Sequence, residues 1–97
     1  MVTKALLVWL EAKPGKGDAV EDFLAWTRLL AEREPGTKPW LAVRFDASRF
    51  GIVEAFPDDE ARQTHLAGRI GQELKENAEL FASLPHIVKI DVLAEKL

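Results

Sequence analysis

Residues Ala5 to Ala12, ALLVWLEA, form a nearly continuous apolar run closed by Lys13, Pro14 and Gly15. The run is too short for a typical helix and ends in turn residues, so it reads as a strand. Successive side chains of a strand point to opposite faces. Leu6, Val8 and Leu10 share one parity, and Ala5, Leu7 and Trp9 share the other, so both faces of this strand require cover. Any fold for this chain must bury a sheet from two sides.

The rest of the chain alternates elements in a readable order. After the Pro14-Gly15 turn, Asp18 is placed to cap a helix, with Glu21 three residues on to complete a capping box. Val20, Phe23, Leu24, Thr27, Leu30 and Ala31 then recur at helical spacing, Trp26 and Leu29 widen the stripe, and Pro35-Gly36 stops it. Trp40–Phe45 and Phe50–Phe56 read as two strands joined by the short link Asp46-Ala47-Ser48-Arg49, an antiparallel hairpin. Pro57 ends the hairpin, and Asp58 is a natural cap for a helix beginning at about Asp59, with Asp59 and Glu60 favoured by the helix dipole. Gly68 and Gly71 interrupt this helix near Arg69, after which Ile70, Leu74, Asn77, Ala78 and Phe81 carry a helical stripe to about Ser83. Leu84-Pro85-His86 is a turn that leaves His86 facing solvent, and Ile87–Leu93 alternates Val88, Ile90 and Val92 with Lys89 and Asp91 as a last strand.

Strand, helix, strand, strand, broken helix, strand is the split βαβ order of a ferredoxin-like α+β sandwich, a single domain over residues 1–97. Its helices cover one face of an antiparallel sheet. Because the first strand is apolar on both parities, the second face calls for another cover. A second copy of the chain, packed sheet to sheet about a two-fold axis, supplies it and makes the molecule a homodimer, a dimeric α+β barrel.

Composition removes several classes of function. With no cysteine there is no disulfide, no thiolate nucleophile and no Cys-based metal site, which suits a cytoplasmic setting. A formal net charge of −3 with interspersed signs provides no basic stripe for nucleic acid. Lys4 ahead of an apolar run superficially suggests a signal peptide, yet Glu11 and Lys13 end the run early, and no stretch approaches the ~18 apolar residues of a membrane span. Neither a Gly-rich phosphate loop nor a Cys ligand is present, and there are only two histidines, so neither flavin nor haem nor a metal is expected to reside in the protein.

Two residues carry potential chemistry. Glu54 stands in the middle of an otherwise apolar strand, so if buried it needs a charged partner or a raised pKa; a cross-strand pair with Arg44 is the plain structural reading. His65, on the following helix, has the one side chain whose ordinary pKa lets it exchange a proton near neutrality; a solvated or simply hydrogen-bonded helical histidine is the plain alternative.

Several landmarks together resemble the antibiotic-biosynthesis-monooxygenase-like family of dimeric α+β barrels, and in particular its quinol-oxidising branch. They are Lys13-Pro14-Gly15-Lys16 after the first strand, Glu34-Pro35-Gly36 followed by Trp40, Glu54-x-Phe56 on the third strand, and His65-Leu66 on the next helix. The resemblance spans the whole chain. It implies a pocket between sheet and helices where a small aromatic hydroquinone or phenol meets molecular oxygen without flavin or metal. Glu54 and His65 would border that pocket. His65 would act as catalytic base with Glu54 orienting it, and Arg44 would hold Glu54 or steady the developing anion. Phe56, Ile52, Val8 and Leu10 would bind the ring. The chain departs from the family at Phe56, where a tryptophan is usual, and at Val8, where the haem-degrading branch has an asparagine; it also lacks tyrosine altogether. The competing reading is a non-catalytic dimeric barrel that binds a small hydrophobic ligand on an identical fold, and haem binding through His65 is a third.

Overall fold

The two-sided run becomes strand β1 (Lys4–Glu11) in the interior of a four-stranded sheet, in a computed structural model that describes residues 1–37 and 39–97. Helix α1 (Gly17–Ala31) follows, then strands β2 (Trp40–Arg44) and β3 (Arg49–Phe56), helices α2 (Asp59–Leu66) and α3 (Arg69–Glu76), a single 3₁₀ turn at Ala78–Leu80, and strand β4 (His86–Asp91). The strand order is β2-β3-β1-β4, and every pairing is antiparallel. This is the expected ferredoxin-like α+β fold.

Local chemistry sets most of the boundaries. Gly15 takes φ +79°, the left-handed conformation that a turn between β1 and α1 requires and that side chains resist. Asp58 accepts a hydrogen bond from the Ala61 amide at 2.8 Å and so caps α2 as its position predicts. The capping box expected at α1 does not form: the helix begins two residues earlier, at Gly17 with Lys16 in the cap position, without a side-chain cap. Asp18 and Glu21 turn instead to the Arg44 guanidinium, at 3.3 and 3.0 Å, where charge-assisted bonds outcompete a neutral amide. The last helical stripe also stops short of Ser83. Asn77 closes α3 by donating to the Glu73 carbonyl, and Phe81 then makes a β-bridge to Ala12 rather than another helical turn.

Register decides what each face carries. Leu6, Val8 and Leu10 of β1 oppose Glu54, Ile52 and Phe50 of β3, and all six are buried beneath the helices. Val20, Phe23 and Leu24 of α1 and Ile70 and Leu74 of α3 close over them, while Trp26 and Leu29 stay exposed on the outer side of α1. On the other face, Leu7, Trp9, Leu41, Val43, Val53 and Ile90 lie together by the same register. Among the described residues no element covers them: Trp9 is 43% exposed, Leu41 54% and the adjacent Phe45 52%. Trp9 stacks on Phe45 at 5.1 Å across Gly51, whose missing side chain makes room for the pair, since a Cβ there would sit 3.1 Å from the Phe45 ring. Even β4 turns its apolar parity, Val88 and Ile90, away from the helices and into this face.

Since the α2 cap rests on one side chain, Asp58→Ala is expected to cost about 1 kcal/mol and to lower Tm by roughly 4–8 °C for a domain of this size, measured by thermal unfolding. An unchanged Tm would mean that the Asp58 to Ala61 bond contributes nothing.

Candidate functional site

Glu54 is the central difficulty of the helix face. Its position in β3 is fixed by pairing with Leu6 on one side and Trp40 on the other, and the carboxylate is only 2% exposed. A buried carboxylate must be compensated or neutralised. Arg44 does not provide the compensation. It pairs in register with Phe50, four residues along β2 from Trp40, or roughly 13 Å at strand rise. Its guanidinium lies 5.0 Å over the Phe50 ring and is spent on Asp18, Glu21 and the carbonyls of Asp46 and Ala47.

His65 takes that role instead. Helix α2 starts directly after β3 and carries His65 back over the strand, where the ring is tilted against Phe56 at 5.2 Å. Its Nε2 lies 2.6 Å from Glu54 Oε2. The contact is a close, charge-assisted one between imidazolium and carboxylate. On the other side Nδ1 bonds Glu34 Oε2, to which the Thr37 hydroxyl also donates at 3.1 Å. His65 therefore lies between two carboxylates, one fully buried and one at the surface. Three separate segments meet there: β3, α2 and the loop after α1.

The electrostatics follow from that arrangement. Burial of the imidazole works to lower its pKa, but the hydrogen bonds and charges of Glu54 and then Glu34 outweigh it, so His65 is raised above its ordinary 6.5. The proton is easiest to understand through its removal. A neutral ring that keeps its hydrogen on Nδ1 for Glu34 turns a bare Nε2 lone pair toward the Glu54 carboxylate, and one proton relieves that clash.

Sequence reasoning named Glu54 and His65, and the structure brings them together. It missed Glu34, which entered only as part of the Glu34-Pro35-Gly36 landmark. The remaining expected residues fall elsewhere. Val8, Leu10 and Ile52 are packed into the closed core at 4% exposure or less, and Phe56 is fully buried behind the imidazole, so these side chains form the floor beneath the site. Arg44 borders a separate small cleft at the α1 end of the sheet, beside Leu24 and Phe50. Open space lies on the helix side of His65. A cleft of about 480 Å³ separates the 33–37 loop from Asp58, Ala61, Thr64 and His65 of the α2 segment. Among the described residues there is no cluster of three or more His, Asp or Glu side chains arranged to hold a metal, and no helix is long and apolar enough to cross a membrane.

No protein-family model and no curated protein matches the chain. Solved structures do. A putative antibiotic biosynthesis monooxygenase from Nitrosomonas europaea is 19% identical over 94% of this chain and 99% of that one, with a TM-score of 0.83. Another from Bordetella bronchiseptica is 18% identical over 97% and 100%, with a TM-score of 0.79. The protein is antibiotic-biosynthesis-monooxygenase-like in fold. A protein of unknown function from Nitrosomonas europaea is 48% identical over all of this chain and 95% of that one, with a TM-score of 0.97, and the chain belongs to one family with it.

The raised pKa sets the sign of a stability test. A group raised on folding contributes stability that is fully present below its unfolded pKa and fades as pH rises through its folded one. The urea midpoint of the wild type should therefore exceed that of His65→Gln most near pH 6.5, with the gap closing at higher pH. The imidazole NMR titration should show a midpoint above 6.5. A midpoint below 6.5 would mean that burial prevails over the two carboxylates.

Proposed function

We propose that the protein is a cofactor-independent monooxygenase acting on an aromatic hydroquinone or phenol, with His65 as the base, Glu54 as its buried partner, and a second copy of the chain completing the molecule. The observation that carries this reading is a single imidazole held between a buried and a surface carboxylate beside an open cleft. Such chemistry asks little of a protein beyond removal of a phenolic proton, because the anion passes an electron to oxygen far more readily than the neutral form does. In the overall reaction one oxygen atom enters the ring and the other leaves as water, with the hydroquinone supplying both electrons. The deprotonated Glu54–His65 pair takes the proton. Glu34, on the cleft side of the ring, bonds Nδ1 and offers a substrate proton a route from the cleft to the imidazole. The fold shared with putative monooxygenases supports the class, and the absence of cysteine suits a cytoplasmic setting.

A working base must be unprotonated, so kcat/KM should rise with pH along a limb whose midpoint lies above 6.5, following the direction of the His65 shift. In an oxygen-uptake screen over hydroquinones and polycyclic phenols, His65→Ala should lower kcat by roughly 10²-fold or more, and Glu54→Gln by less. The geometry revises one expectation for these variants. A helical histidine read from sequence alone predicts that His65→Ala leaves stability almost unchanged, but the substitution strips a 2%-exposed carboxylate of its only close cation among the described residues and should cost on the order of 3 kcal/mol. His65→Gln is therefore the cleaner kinetic control. If both residues can be changed without effect on uptake of a true substrate, the cleft is a binding cavity and the non-catalytic reading takes over.

The homodimer rests on the uncovered apolar face. Light scattering at micromolar concentration should give twice the chain mass of 10.9 kDa, and Trp9→Glu should shift the protein to monomer or prevent folding. A monodisperse monomer would overturn this part of the proposal.

A further inference from the structure

Neither ring nitrogen of His65 is free to meet a ligand. Nε2 faces Glu54, which is 2% exposed and borders neither open space beside the site, and Nδ1 is bonded to Glu34. The imidazole itself is only 5% exposed, so a proton arriving from the cleft meets neither nitrogen directly.

Glu34 is placed differently. Its side chain keeps 23% of its surface exposed, and it lines both the cleft beside His65 and a second space of about 600 Å³ toward Trp40. Its two oxygens have separate surroundings. Oε2 holds both internal bonds, to His65 Nδ1 and from the Thr37 hydroxyl at 3.1 Å. Oε1 accepts no hydrogen bond from any described residue, and it lies at the Gly68 edge of the cleft, 3.4 Å from where a Cβ on that glycine would stand. A ligand that displaces water from such an oxygen must bring a hydrogen of its own or forfeit a charge-assisted bond.

We propose that Glu34 is the residue the substrate touches: Oε1 receives the hydroxyl hydrogen of a neutral phenol in the cleft, and the carboxyl group passes that proton to Nδ1 of His65. The substrate O–H bond breaks and an Oε1–H bond forms, leaving a phenolate. A half-turn of the carboxyl group about Cγ–Cδ then brings the proton to Nδ1, and Glu34 is a carboxylate again. The receiving ring carries its own hydrogen on Nε2, toward Glu54, and becomes an imidazolium between two carboxylates. Glu34 is the catalytic contact, and His65 is the base behind it that holds the proton. The site therefore prefers a neutral hydroxyl donor to an ether, which brings no hydrogen, and to an anion, which sets one negative charge against another. Naming the donor as a phenol rests on the monooxygenase reading above; the contact at Oε1 rests on the geometry of Glu34.

The test is an NMR titration of the full chain, carrying ¹³C at glutamate Cδ, against 1-naphthol and its methyl ether, 1-methoxynaphthalene. The wild type should bind the naphthol at least ~10-fold more tightly, and the naphthol alone should move the Glu34 carboxyl resonance. Glu34→Gln keeps a carbonyl for the Nδ1 and Thr37 donors but turns an NH₂ group to the cleft, so the preference should fall to within about threefold or reverse. A side chain that only tied down the loop would leave the preference as it was. If that variant does not fold, the carboxyl resonance of the wild type decides alone. Equal affinity for the two probes, a Glu34 carboxyl that naphthol does not move, or a preference retained in Glu34→Gln overturns the inference while the monooxygenase reading stands. So does an undiminished kcat in Glu34→Gln on a substrate whose oxidation His65→Gln slows by roughly 10²-fold, since that substrate reaches the imidazole without Glu34. A naphthol preference centred on Glu34 with no oxygen uptake on any phenol supports the Glu34 contact and overturns the monooxygenase reading alone.

Discussion

The buried carboxylate of Glu54 is the constraint to which the helix face is fitted. A carboxylate in a strand between Leu6 and Trp40 cannot be left bare, and the cation that answers it comes from the helix that follows the same strand. That demand fixes where α2 must lie. Pro57 ends β3, Asp58 caps the helix, and Arg62 anchors its far side by donating to the carbonyls of Ala5 and Ile90. His65 then arrives over Phe56 and extends the chain of charge to Glu34, which ties down the loop after α1. One ionic thread therefore ties three segments together. Stability alone is a weak reason to keep such a thread, since apolar residues of similar volume commonly serve as well. A proton-handling role gives its presence a purpose that packing does not.

The fold was legible because its signals are periodic and local. The two-parity run of β1, the hairpin link, Pro57-Asp58 and the glycine break near Arg69 each stand in a few consecutive residues. The Arg44–Glu54 pairing failed for a reason the sequence itself contained. Placing the hairpin link at Asp46–Arg49 already sets Arg44 close to Gly51, three positions from Glu54, so charge complementarity suggests a pair that register does not support. Glu34 failed for a different reason. It lies in an irregular loop, and nothing in a loop's sequence states which distant side chain it will meet. The α1 capping box shows the same limit from another side, because a cap read from local spacing was displaced by Arg44, a tertiary competitor 26 residues from Asp18.

The apolar residues expected to form a substrate wall explain how the core and the site divide the helix face. Val8, Leu10 and Ile52 sit under α1 and α3, where close packing leaves no room for a ligand. Open space beside His65 appears where the helices part, around the 33–37 loop and α2. The polar groups of the site stand along that seam, with Trp40 and Glu54 on the sheet, His65 on the helix and Glu34 on the loop. A pocket at such a seam draws rigidity from the sheet and access from the loop. The fold by itself does not dictate this arrangement, since the same topology serves many purposes.

Strand β3 joins the two faces. Phe50, Ile52, Glu54 and Phe56 point to the helices, and Gly51, Val53 and Ala55 to the open face, so the site and the apolar surface are written on alternate residues of one segment. A one-residue slip would send Glu54 out among Trp9, Leu41 and Phe45 and leave Val53 facing His65, which costs both faces at once. The register is therefore specified twice. Covering the open face with a second copy would stiffen β3 from behind, and a site that depends on a 2.6 Å contact between a strand carboxylate and a helix imidazole has most to gain from a strand that does not move.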